Sequence, residues 1–219
     1  VVAMENEEMA EDESSNENEE ELQEDVQDPQ SEMNTVDIED GAETEIAKIL
    51  TAENAQETSD TTIGIDVAKY QGTIDWNRIA TSSVDFAMVR LGYRSADEGK
   101  IVEDVNARYN LQEAQKNDIM LGAYFFSTAV NEKEAVEEAN WAADILDQYS
   151  ITYPVAYDCE GYQETDSRQY GLTKAERTEI ALAFLNQIEK RGYEGMFYSS
   201  KNEMEESAKW DMEQIEKKY

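Results

Sequence analysis

Two carboxylates, Asp158 and Glu160, stand two residues apart directly after the apolar run Ile151-Thr-Tyr-Pro-Val-Ala-Tyr157, in a chain of 219 residues that contains no histidine. Without imidazole there is no Ser–His–Asp triad, no Cys–His couple, no His-ligated zinc and no proton shuttle poised near neutrality. Acid–base chemistry then falls first to carboxylates. In an extended segment residues i and i+2 share a face, so both acids are expected to project together from the end of a strand. A third acid, Asp66, interrupts another short apolar run, Ile63-Gly-Ile-Asp-Val67. Three carboxylates on one rim repel one another, which raises at least one pKa and leaves a protonated acid beside an ionised partner. Hydrolysis of a glycosidic bond requires that arrangement.

A blander reading assigns the same acids to helix caps or to ion pairs with basic side chains. Metal binding is disfavoured, because no third or fourth ligand is spaced near the D-x-E pair. Gly64 and Gly72 are too sparse for a dinucleotide or phosphate loop, so no cofactor is expected. Cys159, the one cysteine, excludes an internal disulfide. Alternation points it away from its acidic neighbours, as a buried small apolar residue rather than a nucleophile.

Strand-like and helix-like segments alternate from Thr61 onward. Strands are expected at 63–67, 84–91, 119–126, 151–157 and 195–199. Between them come a short helix capped by Asp75 and a helix over 104–117 with Val105, Tyr109 and Ala114 near one face. A third helix starts at an Asn131/Glu134 cap and carries Val136, Ala139, Ala143 and Leu146. A fourth opens on a Thr173/Glu176 capping box and ends at Gly192. Residues 201–219 read as helix or loop. This rhythm implies an α/β fold with a parallel sheet or barrel, whose active sites form at the C-terminal strand ends.

The formal charge of −33 is unevenly spread: residues 1–60 hold 22 acids against one base, Lys48. That segment has no aromatic residue and is expected to be a disordered acidic tail or linker, with a short amphipathic stretch at 43–50. Residues 61–219 form the one folded domain. No Lys/Arg cluster exists to displace phosphate counterions, which argues against nucleic acid as a partner. No apolar stretch approaches the roughly 20 residues that cross a bilayer. The opening Val1-Val2-Ala3 lacks an initiator Met and fits either the remnant of a removed export signal or a cropped sequence.

Four motifs make a family resemblance. Thr62-Ile-Gly-Ile-Asp-Val-Ala-Lys-Tyr-Gln-Gly-Thr-Ile-Asp-Trp76, Val84-Asp-Phe-Ala-Met-Val-Arg-Leu-Gly-Tyr93, Gly122-Ala-Tyr-Phe-Phe-Ser127 and Pro154-Val-Ala-Tyr-Asp-Cys-Glu160 resemble, in order and spacing, the glycoside hydrolase family 25 lysozymes. The resemblance covers residues 62–219. It implies a modified, TIM-like (β/α) barrel of five βα units followed by three further strands. It also implies a secreted muramidase, a monomer acting on peptidoglycan glycan strands outside the cell or in the wall. The bond cleaved would be the β-1,4 linkage between N-acetylmuramic acid and N-acetylglucosamine.

By match to the motif, Glu160 would be the general acid. Asp158 would stabilise developing positive charge or orient the substrate's acetamido group, and Asp66 would tune the site. Arg90 resembles a basic residue of the family and could hold a carboxylate or a sugar hydroxyl, or serve as a structural ion pair with Asp66 or Asp158. The rings of Tyr124 and Tyr198, at strand ends, could stack on sugar faces or belong to the core. Two departures stand out. Phe125 replaces a His that many relatives carry, and the sequence stops at Tyr219, where the family's last three strands and a further acid would follow, so the domain is expected to be incomplete. The alternatives are a non-catalytic wall-binding module, an inactive truncated muramidase, or a chitinase-like hydrolase. Against the last, Ala156 stands where D-x-D-x-E would need an acid.

Overall fold

The structure, a computed structural model, describes residues 62–205 and 209–219. The acidic segment 1–60, with its amphipathic stretch, lies outside the described residues. Among those described, the chain runs β1 (Gly64–Val67), a 3-10 turn (Lys69–Gln71), α1 (Trp76–Ala80), β2 (Phe86–Arg94), β3 (Ile101–Glu103), α2 (Ala107–Lys116), β4 (Met120–Phe126), α3 (Glu132–Leu146), β5 (Ile151–Asp158), α4 (Lys174–Lys190), β6 (Gly195–Tyr198), α5 (Lys201–Glu205) and α6 (Met212–Ile215).

The strands form one sheet in the order β1-β2-β4-β5-β6, every neighbouring pair parallel, with β3 added antiparallel to the end of β2. Five βα units are therefore present. Among the described residues β1 and β6 are the two ends of the sheet.

Local chemistry explains most boundaries. The Asp75 carboxylate accepts from the backbone nitrogens of Asn77 and Arg78 at the start of α1. Asn131 Oδ1 accepts from Glu134 N at 3.0 Å and starts α3. Thr173 and Glu176 bond reciprocally at the start of α4, and Gly192 follows that helix at a φ of 94°. The helix expected from Asp104 begins later, with Asn106 as its N-cap. Asp104 is instead buried and turned to other partners. Val105 and Tyr109 face outward, and the packed side of α2 is Ala107, Asn110, Leu111 and Ala114.

Alternation along each strand sends Ala87, Val89, Leu91, Leu121, Ala123, Phe125, Val155 and Tyr157 into one core. Leu111 of α2, Ala139 and Leu146 of α3, and Ala181, Phe184 and Leu185 of α4 belong to the same core. The opposite face carries the chemistry. A bulge between Arg90 and Gly92 turns Tyr93 onto the same side as Arg90. Gly92 is required there, because a Cβ would lie 2.3 Å from the Val102 carbonyl oxygen on β3.

Candidate active site

Parallel register aligns the C-terminal ends of the strands. Arg90, Tyr124 and Ala156 occupy one row across β2, β4 and β5, and Phe126, Asp158 and Tyr198 the next across β4, β5 and β6. Asp66 comes from β1 one row below and reaches upward, accepting a hydrogen bond from the Tyr124 hydroxyl. Glu160 lies just past β5, half-buried, and its carboxyl is hydrogen-bonded to that of Asp158. The strand end is pinned by Ser127 N, which donates to the Asp158 carbonyl at 2.7 Å. The three acids singled out in the sequence thus converge on one rim.

Their protonation follows from depth. Asp158 is almost wholly buried, and burial drives its pKa well above the carboxylate range; the charges of Glu160 and Asp66 push it further, and Arg90 restrains it. Glu160 is also raised, by burial first and then by the charges of Glu203 and Asp66, against the hydrogen bond from Asp158. The two therefore share a proton, with Asp158 as donor in the free protein. Asp66 is exposed as a residue, yet its carboxyl is crowded enough by its neighbours for burial to raise it; the Tyr124 hydrogen bond and Arg90 oppose the rise.

The aromatic residues divide. Tyr124 is 8% exposed and acts through its hydroxyl on Asp66. Tyr198 is 46% exposed, with a hydroxyl that feels Glu160, Asp158 and Asp66, so its ring lies open beside the acids. Arg90 lies beneath the rim, with none of its surface exposed. Asp104 accepts from its Nε at 2.8 Å and lies 2.7 Å from the second guanidinium nitrogen. Asp104 also accepts from the backbone nitrogens of Lys69 and Asn106. The guanidinium sits 5.0 Å from the Tyr70 ring centroid and 5.3 Å from that of Tyr93. The Arg90 charge restrains the proton affinity of Asp66 and Asp158.

Sequence reasoning passed over Asp104, Tyr70, Tyr93 and Glu203. Asp104 carried a signal, an acid directly before a helix, but the same signal marks an N-cap. Phe125 faces the helices, edge-on to Trp141 at 5.7 Å between ring centroids, so its ring points away from the carboxylates. Cys159 is fully buried with its Sγ 3.3 Å from Gln169 Oε1, and burial pushes its thiol far up, as an inert core residue requires. Among the described residues no group of three or more His, Cys, Asp or Glu is arranged to hold a metal ion, and no helix is long and apolar enough to cross a membrane.

The chain is similar to the uncharacterized protein YegX of Escherichia coli O6:H1, with 28% identity over 138 residues, 62% of this chain and 47% of that protein. It therefore spans about half the length of that curated relative. Among solved structures it is similar to the modular autolysin LytC of Streptococcus pneumoniae, at 25% identity and a TM-score of 0.58 over 67% of this chain and 34% of LytC. The same autolysin in complex with a synthetic peptidoglycan ligand matches at 25% identity and a TM-score of 0.57, over 66% of this chain and 33% of that one. The family model described as glycosyl hydrolases family 25 matches residues 65–219, from the strand that carries Asp66 to Tyr219. With that match running over well more than half its length, the chain belongs to glycosyl hydrolases family 25.

Proposed function

We propose that this chain carries the acid–base centre of a peptidoglycan hydrolase, a muramidase that cleaves the β-1,4 bond between N-acetylmuramic acid and N-acetylglucosamine. One observation carries the reading: a proton-sharing Asp158–Glu160 pair at the open C-terminal end of a parallel sheet, in a chain of this family. LytC, 25% identical, has been solved with a peptidoglycan ligand, which supports the substrate class.

Glu160, the less buried of the two, is the acid. Its proton passes to the glycosidic oxygen as the bond to the anomeric carbon breaks, and the leaving sugar departs as an alcohol. The carboxyls of retaining glycosidases stand about 5–5.5 Å apart and those of inverting ones about 6.5–9.5 Å. A directly hydrogen-bonded pair is closer than either, so Asp158 acts on the substrate's own acetamido group. It orients the amide, whose oxygen attacks the anomeric carbon. Water then opens that intermediate and gives a proton back to Glu160, which closes the cycle. Asp66, its anion favoured by the Tyr124 hydroxyl, supplies negative charge at the rim, Arg90 limits the carboxyls' proton affinity from beneath, and Tyr198 offers a ring face to a sugar. The site of action is the cell wall, where the glycan is.

The test is clearing of a suspension of purified bacterial walls. The chain is expected to lower turbidity, and Glu160→Gln to slow clearing by about 100-fold or more. Co-sedimentation with walls but no clearing would replace the hydrolase with a wall-binding module.

A further inference from the structure

A carboxylate with no role in the mechanism above, that of Glu203, carries a charge that Glu160 feels. Glu203 of α5 accepts from Ser199 Oγ at 2.7 Å and from the side-chain nitrogen of Gln163 at 3.4 Å. These donors arrive from two directions. Ser199 continues β6 directly beyond Tyr198, the register partner of Asp158, and Gln163 lies three residues past Glu160. Gln163 in turn accepts from Lys209 Nζ. Glu203 therefore bridges the end of β6 and the segment after Glu160, so it is held at the site and does not swing freely in solvent.

We propose that Glu203 is a positioning residue for the acid: clamped between Ser199 and Gln163, it sets a negative charge against Glu160 and biases the proton of the Asp158–Glu160 pair toward Glu160. The proposal deepens the reading of Glu160 as the proton donor. Such a bias is needed because Asp158, the deeper acid, is the donor in the free pair. The groups that face Glu160 are Asp158 from β5, Asp66 from β1, Tyr198 from β6 and Glu203 from α5, while Arg90 of β2 acts on Asp66 and Asp158. Burial is the largest cause of Glu160's raised proton affinity, and the Glu203 charge adds to it. Glu203 is bonded to Gln163, three residues past Glu160, and its charge raises the proton affinity of Glu160.

The experiment is a carboxyl-carbon NMR titration of the full chain and of Glu203→Gln, which keeps an acceptor for Ser199 but removes the charge. The Glu160 midpoint is expected to fall by about half a pH unit or more, roughly a threefold loss of proton affinity, while Asp66 moves less. Glu203→Asp, which keeps the charge, should restore most of the difference. If Glu203→Gln does not fold, Ser199→Ala loosens the same carboxylate and should move Glu160 in the same direction by less. A Glu160 midpoint that stays put in Glu203→Gln, or falls equally in Glu203→Asp, overturns the proposal. The readout needs no substrate. A shifted midpoint in a chain that clears no walls keeps the positioning role and removes the hydrolase reading, and clearing with an unmoved midpoint does the reverse.

Discussion

Glu138 of α3 is fully buried, with Arg94 Nε 2.6 Å from one carboxylate oxygen and Ser127 Oγ donating to the other at 2.6 Å. Both contacts favour the ionised form, and the charge of Glu134 opposes it. Burial nevertheless outweighs them, and the Glu138 pKa is pushed up to about 7. Arg94 shows the other half of the bargain: burial disfavours its cation, yet Glu138, Glu137 and Glu134 raise its proton affinity, so it stays charged. In the unfolded chain Glu138 titrates near its ordinary 4.5. Between 4.5 and about 7 the folded state therefore binds the extra proton, and stability must fall as pH rises through that window. At about 1.4 kcal/mol per pH unit, the loss is about 3 kcal/mol, complete above neutrality and absent below 4.5. Glu138→Gln removes this titration. Urea unfolding of both chains from pH 4 to 8 isolates it, since Asp158, Glu160 and Asp66 slope the same way in each and cancel in the difference. The parent should lose about 3 kcal/mol relative to Glu138→Gln across the window. A difference independent of pH, or one that favours the parent as pH rises, would refute the claim that burial beats Arg94.

Two further outcomes follow from the site. Asp104→Ala leaves the Arg90 guanidinium buried without its carboxylate and should cost about 3–5 kcal/mol in thermal unfolding; a cost under about 1 kcal/mol would mean that other partners suffice. Tyr124→Phe removes the hydroxyl that restrains Asp66. The Asp66 midpoint, already raised by burial, should then climb further in a carboxyl NMR titration, with stability little changed.

Local chemistry was legible in the sequence. The Asp75, Asn131 and Thr173/Glu176 caps are where composition placed them, because an N-cap needs only a polar side chain and the next three residues. The D-x-E spacing put Asp158 and Glu160 together because both belong to one stretch of backbone. Less local features were misread. The short β3 was not anticipated: Ile101-Val-Glu103 is too brief to signal a strand and exists because the end of β2 offers it an edge. Val105, Tyr109 and Ala114 read as one face, but the helix starts at Ala107, three residues later than the pattern suggests, and only Ala114 of the three is buried.

What the sequence determined by itself was therefore the chemistry available, carboxylates without imidazole, and the rhythm of elements that would carry it. Tertiary structure alone decided which charges meet. Arg90 met Asp104, Glu203 came beside Glu160, and Glu138 was sealed with Arg94. Such pairings depend on sheet register and on how much water the packed elements exclude. Both are sums over many distant contacts, and no short window of residues contains them.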